Sequence, residues 1–117
     1  MIVEDDISLQ RLYKMILEVS GYKIQGIANN GEEAVKMYQS FPVKPEIVLM
    51  DHRMPIKNGI EATKEILQIC NHSKIIFASA DNSVKKLALS IGAIRFIEKP
   101  FELKVLVEEI AVILKNV

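Results

Sequence analysis

Four consecutive large apolar residues, Ile47-Val48-Leu49-Met50, end on Asp51 and constrain the chain more than any other stretch. A short run that is apolar at every position reads as a strand buried on both faces, and such strands belong to parallel sheets covered by helices. After Asp51 the chain turns through Pro55 and Asn58-Gly59 before helical periodicity resumes. Asp51 is therefore expected at the carboxyl edge of the sheet, where open α/β folds hold their ligands.

The other segments supply the partners such a strand needs. Met1-Ile2-Val3 is a clipped first strand running into Glu4-Asp5-Asp6. From Ile7, the residues Leu9, Leu12, Tyr13, Ile16, Leu17 and Val19 recur at helical spacing, with Asp6 as N-cap and Gly21 as the stop. Tyr22 to Ala28 alternates imperfectly and reads as an edge strand; Asn30 and Glu33 resemble a capping box opening a second helix that ends before Pro42. A third helix is expected from Gly59 to about Asn71, with Ile60, Thr63, Ile66, Leu67, Ile69 and Cys70 as its apolar positions. Ile75 to Ala78 is a fourth strand, Val84 to Ile91 a fourth helix stopped by Gly92, Ile94 to Ile97 a fifth strand, and Leu103 to Lys115 a fifth helix. Alternating strands and helices with short connections predict one domain over residues 1–117: a three-layer, doubly wound (βα)5 sandwich with a parallel sheet of order 2-1-3-4-5.

Composition narrows the function. Lys plus Arg and Asp plus Glu are fifteen each, which removes the long-range field that would favour nucleic acid or an anionic membrane. Cys70 is the only cysteine, so an intramolecular disulfide and a cysteine-rich metal site are excluded; it reads as a small buried hydrophobe. No apolar run approaches the roughly 20 residues of a membrane span, and a cytoplasmic setting is expected.

In the predicted topology the ends of strands 1, 3, 4 and 5 bring Asp5, Asp6, Asp51, Ser79 and Lys99 together. Converging carboxylates repel one another unless a cation sits among them, and an all-oxygen set without His or Cys fits Mg²⁺. Lys99 offers a point charge and Ser79 a hydroxyl, the donors wanted around a phosphoryl group in transfer, which leaves Asp51 as the acceptor oxygen. His52, next to Asp51, is expected to point away from the cation, since successive residues of a strand end face opposite sides. His72, between Asn71 and Ser73, is expected to be solvated. Arg53 and Asp81 lie two residues beyond Asp51 and Ser79 on adjacent strand ends, and are expected to pair over the site.

The set Glu4-Asp5-Asp6, Val48-Leu49-Met50-Asp51 with Met54-Pro55 and Gly59, Ser79-Ala80, and Lys99-Pro100-Phe101 resembles the response-regulator receiver domain (CheY-like) of two-component signalling, over the whole chain. The resemblance implies a flavodoxin-like fold and a signalling switch rather than a metabolic enzyme. It implies that Asp51 takes phosphate from a histidine kinase or histidine phosphotransfer protein. Asp6, Asp51 and the main-chain carbonyl of Arg53 would be direct Mg²⁺ ligands, with Asp5 acting through a metal-bound water. Ser79 would hydrogen-bond the phosphoryl group, Lys99 would pair with it, and Lys99-Pro100 would be cis. Phe96 would be the aromatic that turns inward with Ser79, and output to a downstream protein or domain would leave through the fourth helix, fifth strand and fifth helix, from a monomer or a phosphorylation-dependent dimer.

Two departures from the family pattern are Asn58, where Asp is frequent, and a shortened Ser79 to Lys99 segment that bears on where the fourth helix starts. A phosphatase with Asp51 as nucleophile would want an acid at position 53, which is Arg. A flavin or nucleotide carrier would want a Gly- and Ser-rich loop where Glu4-Asp5-Asp6 stands. A degenerate receiver binding partners without phosphate would not keep the acidic set, Ser79 and Lys99 together.

Overall fold

A computed structural model describes residues 1–115. Five strands form one parallel sheet of order β2-β1-β3-β4-β5: β1 Ile2–Val3, β2 Ile27–Ala28, β3 Ile47–Met50, β4 Lys74–Ser79 and β5 Arg95–Glu98. The helices are α1 Ile7–Val19, α2 Gly31–Ser40, α3 Gly59–Ile69, α4 Lys85–Ser90 and α5 Leu103–Lys115. The expected fold class and strand order are observed.

Strand side chains alternate between the two helical layers, as a period of two requires. Val3, Val48, Met50, Ile75 and Phe77 are buried with Ala34, Tyr38, Ile60 and Ile66 of α2 and α3, and with Ala88 of α4. Ile2, Leu49, Ile76, Ala78 and Ile97 are buried on the opposite side with Tyr13 and Leu17 of α1 and Leu106, Ile110 and Ile113 of α5. Each central strand is thus apolar at every position because both of its faces are covered.

Local chemistry fixes where the helices start. The Asp6 carboxylate accepts from the amides of Ser8 (2.9 Å) and Leu9 (3.2 Å) and caps α1. Asn30 Oδ1 accepts from Glu33 N at 2.8 Å, and the Glu33 carboxylate reaches back to the amide of Asn29, one residue earlier than in the usual capping box. Asn58, the departure from the family pattern, caps α3 by accepting from Glu61 N at 2.9 Å.

Several boundaries differ from the sequence reading. β2 covers only Ile27–Ala28 because its one neighbour, β1, offers two ladder residues. Leu12 and Val19 lie on the outer flank of α1 and are exposed, as is Ile69 at the end of α3. The fourth helical segment is a 3-10 turn, Asn82–Val84, followed by only six α-helical residues, with Leu87 exposed.

Candidate functional site

The carboxyl edge of the sheet is assembled by the strand ends. Asp51 follows β3 directly and is 8% exposed. Its Oδ1 accepts from the amide of His52 at 2.7 Å, and its Oδ2 lies 3.3 Å from Lys99 Nζ. Lys99 follows β5, its amide donating to Ser79 O at 2.9 Å, and the Lys99-Pro100 peptide is cis as expected. From there the Lys99 stem spans the edge to β1, where Nζ donates to Glu4 Oε1 at 2.7 Å.

Glu4, Asp5 and Asp51 each place a carboxylate oxygen within 4.8 Å of the others. This corrects the expectation for Asp6, whose carboxylate faces α1 and is engaged by two helix amides. The acidic set is therefore shifted by one residue: Glu4, at the end of β1, enters it and Asp6 leaves. The sequence carried the signal, since a residue that caps a helix has committed its oxygen to amides.

Burial pushes the Glu4 carboxyl up to about 7; the hydrogen bond from Lys99 opposes that rise and the Asp51 charge adds to it. Burial works against the Lys99 ammonium, but its bond to Glu4 and the charge of Asp51 outweigh it and hold its pKa above the usual lysine value. One ammonium thus serves two carboxylates while Asp5 stands exposed beside them. Such a donor set, all carboxylate and more negative than its single lysine can offset, suits a hard divalent cation.

Beside Asp51 opens a cavity of about 340 Å³ lined by Asp51, Arg53, Ser79, Ala80, Asp81, Asn82 and Lys99. Ser79 is buried at the end of β4, its Oγ accepting from Asp81 N at 3.1 Å. Arg53 Nε donates to Asp81 Oδ2 at 3.2 Å, so the expected pair forms over the cavity. The Ser83 hydroxyl and, secondarily, Arg53 hold the Asp81 carboxyl below its ordinary pKa. Phe96 is partly buried and stacks on Phe77 with ring centroids 6.3 Å apart. His52 is half-buried and outside the carboxylate cluster; His72 is exposed.

A parallel sheet with an acidic, lysine-bridged pocket at the ends of its central strands defines a class of open α/β domains with a polar site at the carboxyl edge. Comparison with known sequences makes the class specific: the response regulator receiver domain model matches residues 1–111, and the chain belongs to that family, the receivers of two-component systems. It is 42% identical over 104 residues to the chemotaxis protein CheY of Thermotoga maritima, covering 87% of this chain and 85% of that one. Its structure is similar to CheY in the CheX-CheY-BeF3-Mg²⁺ complex of Borrelia burgdorferi, with a TM-score of 0.92, 28% identity and coverage of 97% and 86% of the two chains. It is also similar to the response regulator TrrA of Thermotoga maritima in complex with Mg²⁺-BeF, with a TM-score of 0.84, 31% identity and coverage of 94% and 93%.

Proposed function

We propose that the protein is a phosphorylation switch in which Asp51 accepts a phosphoryl group from a histidine kinase or histidine phosphotransfer protein. The observation that carries this reading is the Asp51 carboxylate, nearly buried, 3.3 Å from Lys99 Nζ and within reach of two further carboxylates at the mouth of a polar cavity. An Asp51 oxygen attacks phosphorus, the bond from phosphorus to the donor imidazole nitrogen breaks, and that nitrogen keeps the electron pair and takes a proton from water.

Glu4, Asp5 and Asp51 fit a Mg²⁺ ion, with the main-chain carbonyl of Arg53 as a further ligand. Bound there, the ion would neutralise charge shared between the carboxylates and the phosphoryl oxygens. Lys99 then exchanges part of its hold on Asp51 for a phosphoryl oxygen, and Ser79 turns its hydroxyl toward another. The new phosphate brings close to two negative charges, enough to bias the loops after β4 and β5 between two arrangements. Phe96 follows Ser79 inward and leaves its present position on Phe77, so that the face of α4, β5 and α5 changes for a downstream protein or domain. The complex of CheX with a relative's CheY supports a protein as the reader of this state, and the proposed histidine donor implies a cytoplasmic setting for the switch.

Beryllofluoride tests the reading without a kinase. Added with Mg²⁺, it is expected to bind the wild type in a one-to-one adduct and perturb the amide resonances of Ser79, Phe96 and Lys99. Asp51→Asn is expected to form no adduct; equal binding by that variant would remove Asp51 from the role.

A further inference from the structure

The mutual repulsion of Glu4, Asp5 and Asp51 raises the question of what holds the first two in place. Asp5 is exposed and follows the two-residue strand β1, so the ladder gives it little restraint. Lys99 and the Asp6 amide (3.2 Å) hold the Glu4 carboxylate, and the main chain between Glu4 and Asp5 is held by Gln10, on the second turn of α1, which is only 9% exposed. Its Nε2 donates to the main-chain carbonyl of Glu4 at 2.5 Å and to Asn29 Oδ1 at 2.7 Å. Its own amide donates to Asp6 O at 2.9 Å, so both polar ends of the residue grip the acidic loop.

Asn29 follows β2 and is itself anchored: its Nδ2 donates to the Glu33 carboxylate at 3.2 Å, and its amide donates to the same group at 3.3 Å. A chain of bonds therefore runs from the Glu4 carbonyl through Gln10 and Asn29 to α2. The carbonyl it grips belongs to the peptide joining Glu4 to Asp5, so fixing that peptide plane fixes the directions in which both side chains leave the backbone. A primary amide has two hydrogens on one nitrogen and satisfies both acceptors at once; a carboxylate has none to offer and a thioether leaves both unpaired.

Resting on the reading of this edge as a Mg²⁺ and phosphoryl site, we propose that Gln10 is a positioning residue that holds Glu4 and Asp5 converged on Asp51 and so sets the affinity for the cation. Loss of the amide leaves the Glu4 carbonyl unpartnered and frees the loop to relax away from Asp51 under its own charge. Groups that orient metal ligands in this way typically contribute roughly 10–100-fold to metal affinity, and the lower end is expected for a main-chain contact.

The test is calorimetric titration with MgCl₂ of the wild type, Gln10→Met and Asn29→Ala. Gln10→Met keeps the side-chain length and a good helix former. It is expected to weaken Mg²⁺ binding about tenfold and to speed hydrogen exchange at the Asp5 and Asp6 amides of the metal-free protein. Asn29→Ala keeps the Gln10 to Glu4 bond but removes its brace, and a smaller weakening is expected. Phosphorylation by a small acyl phosphate is expected to slow in Gln10→Met at low Mg²⁺ and to recover at saturating Mg²⁺, a split that general destabilisation would not produce. A lowered melting temperature with wild-type Mg²⁺ affinity would overturn the role; should Gln10→Met not fold, unchanged affinity in Asn29→Ala would do the same. Absence of Mg²⁺ binding by the wild type would instead overturn the underlying reading of the site, and the Gln10 role with it.

Discussion

Gly59→Ala separates the structural support of Asp51 from its chemistry. Gly59 opens α3, its amide donating to His52 O at 2.9 Å, and a methyl group there would overlap the main-chain oxygen of Asp51 and lie 2.9 Å from both Asp51 C and His52 Cα. Those atoms are backbone at the end of a central strand and cannot rotate away. Relief requires α3 and the Asp51 turn to part, and overpacking of this kind costs about 1–3 kcal/mol. With an unfolding entropy of about 2.1 cal/mol/K per residue, that corresponds to a fall in melting temperature of roughly 4–12 °C for a chain of this length. A shift of about 1 Å in the acceptor carboxylate can slow transfer by up to about a hundredfold.

Gly26→Ala is the control. Its methyl would meet Met37 Sδ at 2.6 Å and Phe41 Cζ at 3.0 Å, and the Met37 side chain can swing aside, so melting is expected to stay near that of the wild type. The assay is thermal unfolding of both variants alongside phosphorylation by an acyl phosphate at saturating Mg²⁺. A Gly59→Ala protein that melts within about 2 °C of wild type and is phosphorylated at the wild-type rate would refute the steric reasoning.

Two further outcomes follow from the site. Because burial raises the Glu4 carboxyl to about 7, Mg²⁺ must displace a proton below that pH; affinity should rise with pH, by up to about tenfold per unit below 7, and level off above it. Calorimetric titrations across this range should lose that slope in Glu4→Gln, and a wild type with flat affinity would contradict the assignment. The Arg53 to Asp81 pair lies over the cavity and is expected to hinder the water that would attack the acyl phosphate in line, so Arg53→Ala and Asp81→Ala should each shorten the phosphorylated lifetime several-fold; decay unchanged in both would remove the pair from that role.

The fold was legible because its central strands, Ile47 to Met50 and Ile75 to Ala78, are apolar at every position and each is followed by a polar turn, a pattern few architectures other than a covered parallel sheet accommodate. Asp51 and Ser79 could be placed at one edge because each directly follows such a strand in the sequence, and Lys99 because it lies two residues beyond the expected fifth strand, Ile94 to Ile97. The acidic set was legible only in part. Asp6 is expected from the sequence both as the cap of α1 and as a cation ligand, and the two amides that its carboxylate accepts from hold it in the first role. Gln10 was not legible at all: on a helical wheel it is one polar position near an apolar stripe, and its role depends on Asn29, nineteen residues away in sequence. The fourth helix was obscure for a similar reason, since Asp81 capping the 3-10 turn diverts the chain before regular helix can begin.

The central claim, that Asp51 takes the phosphoryl group with help from a cation, is tested most directly by intact mass after incubation with Mg²⁺ and a small acyl-phosphate donor. The wild type is expected to gain the mass of a single phosphoryl group only when Mg²⁺ is present, and Asp51→Asn to gain none. A phosphorylated Asp51→Asn protein, or a wild type that stays unmodified while folded and loaded with Mg²⁺, would contradict the account.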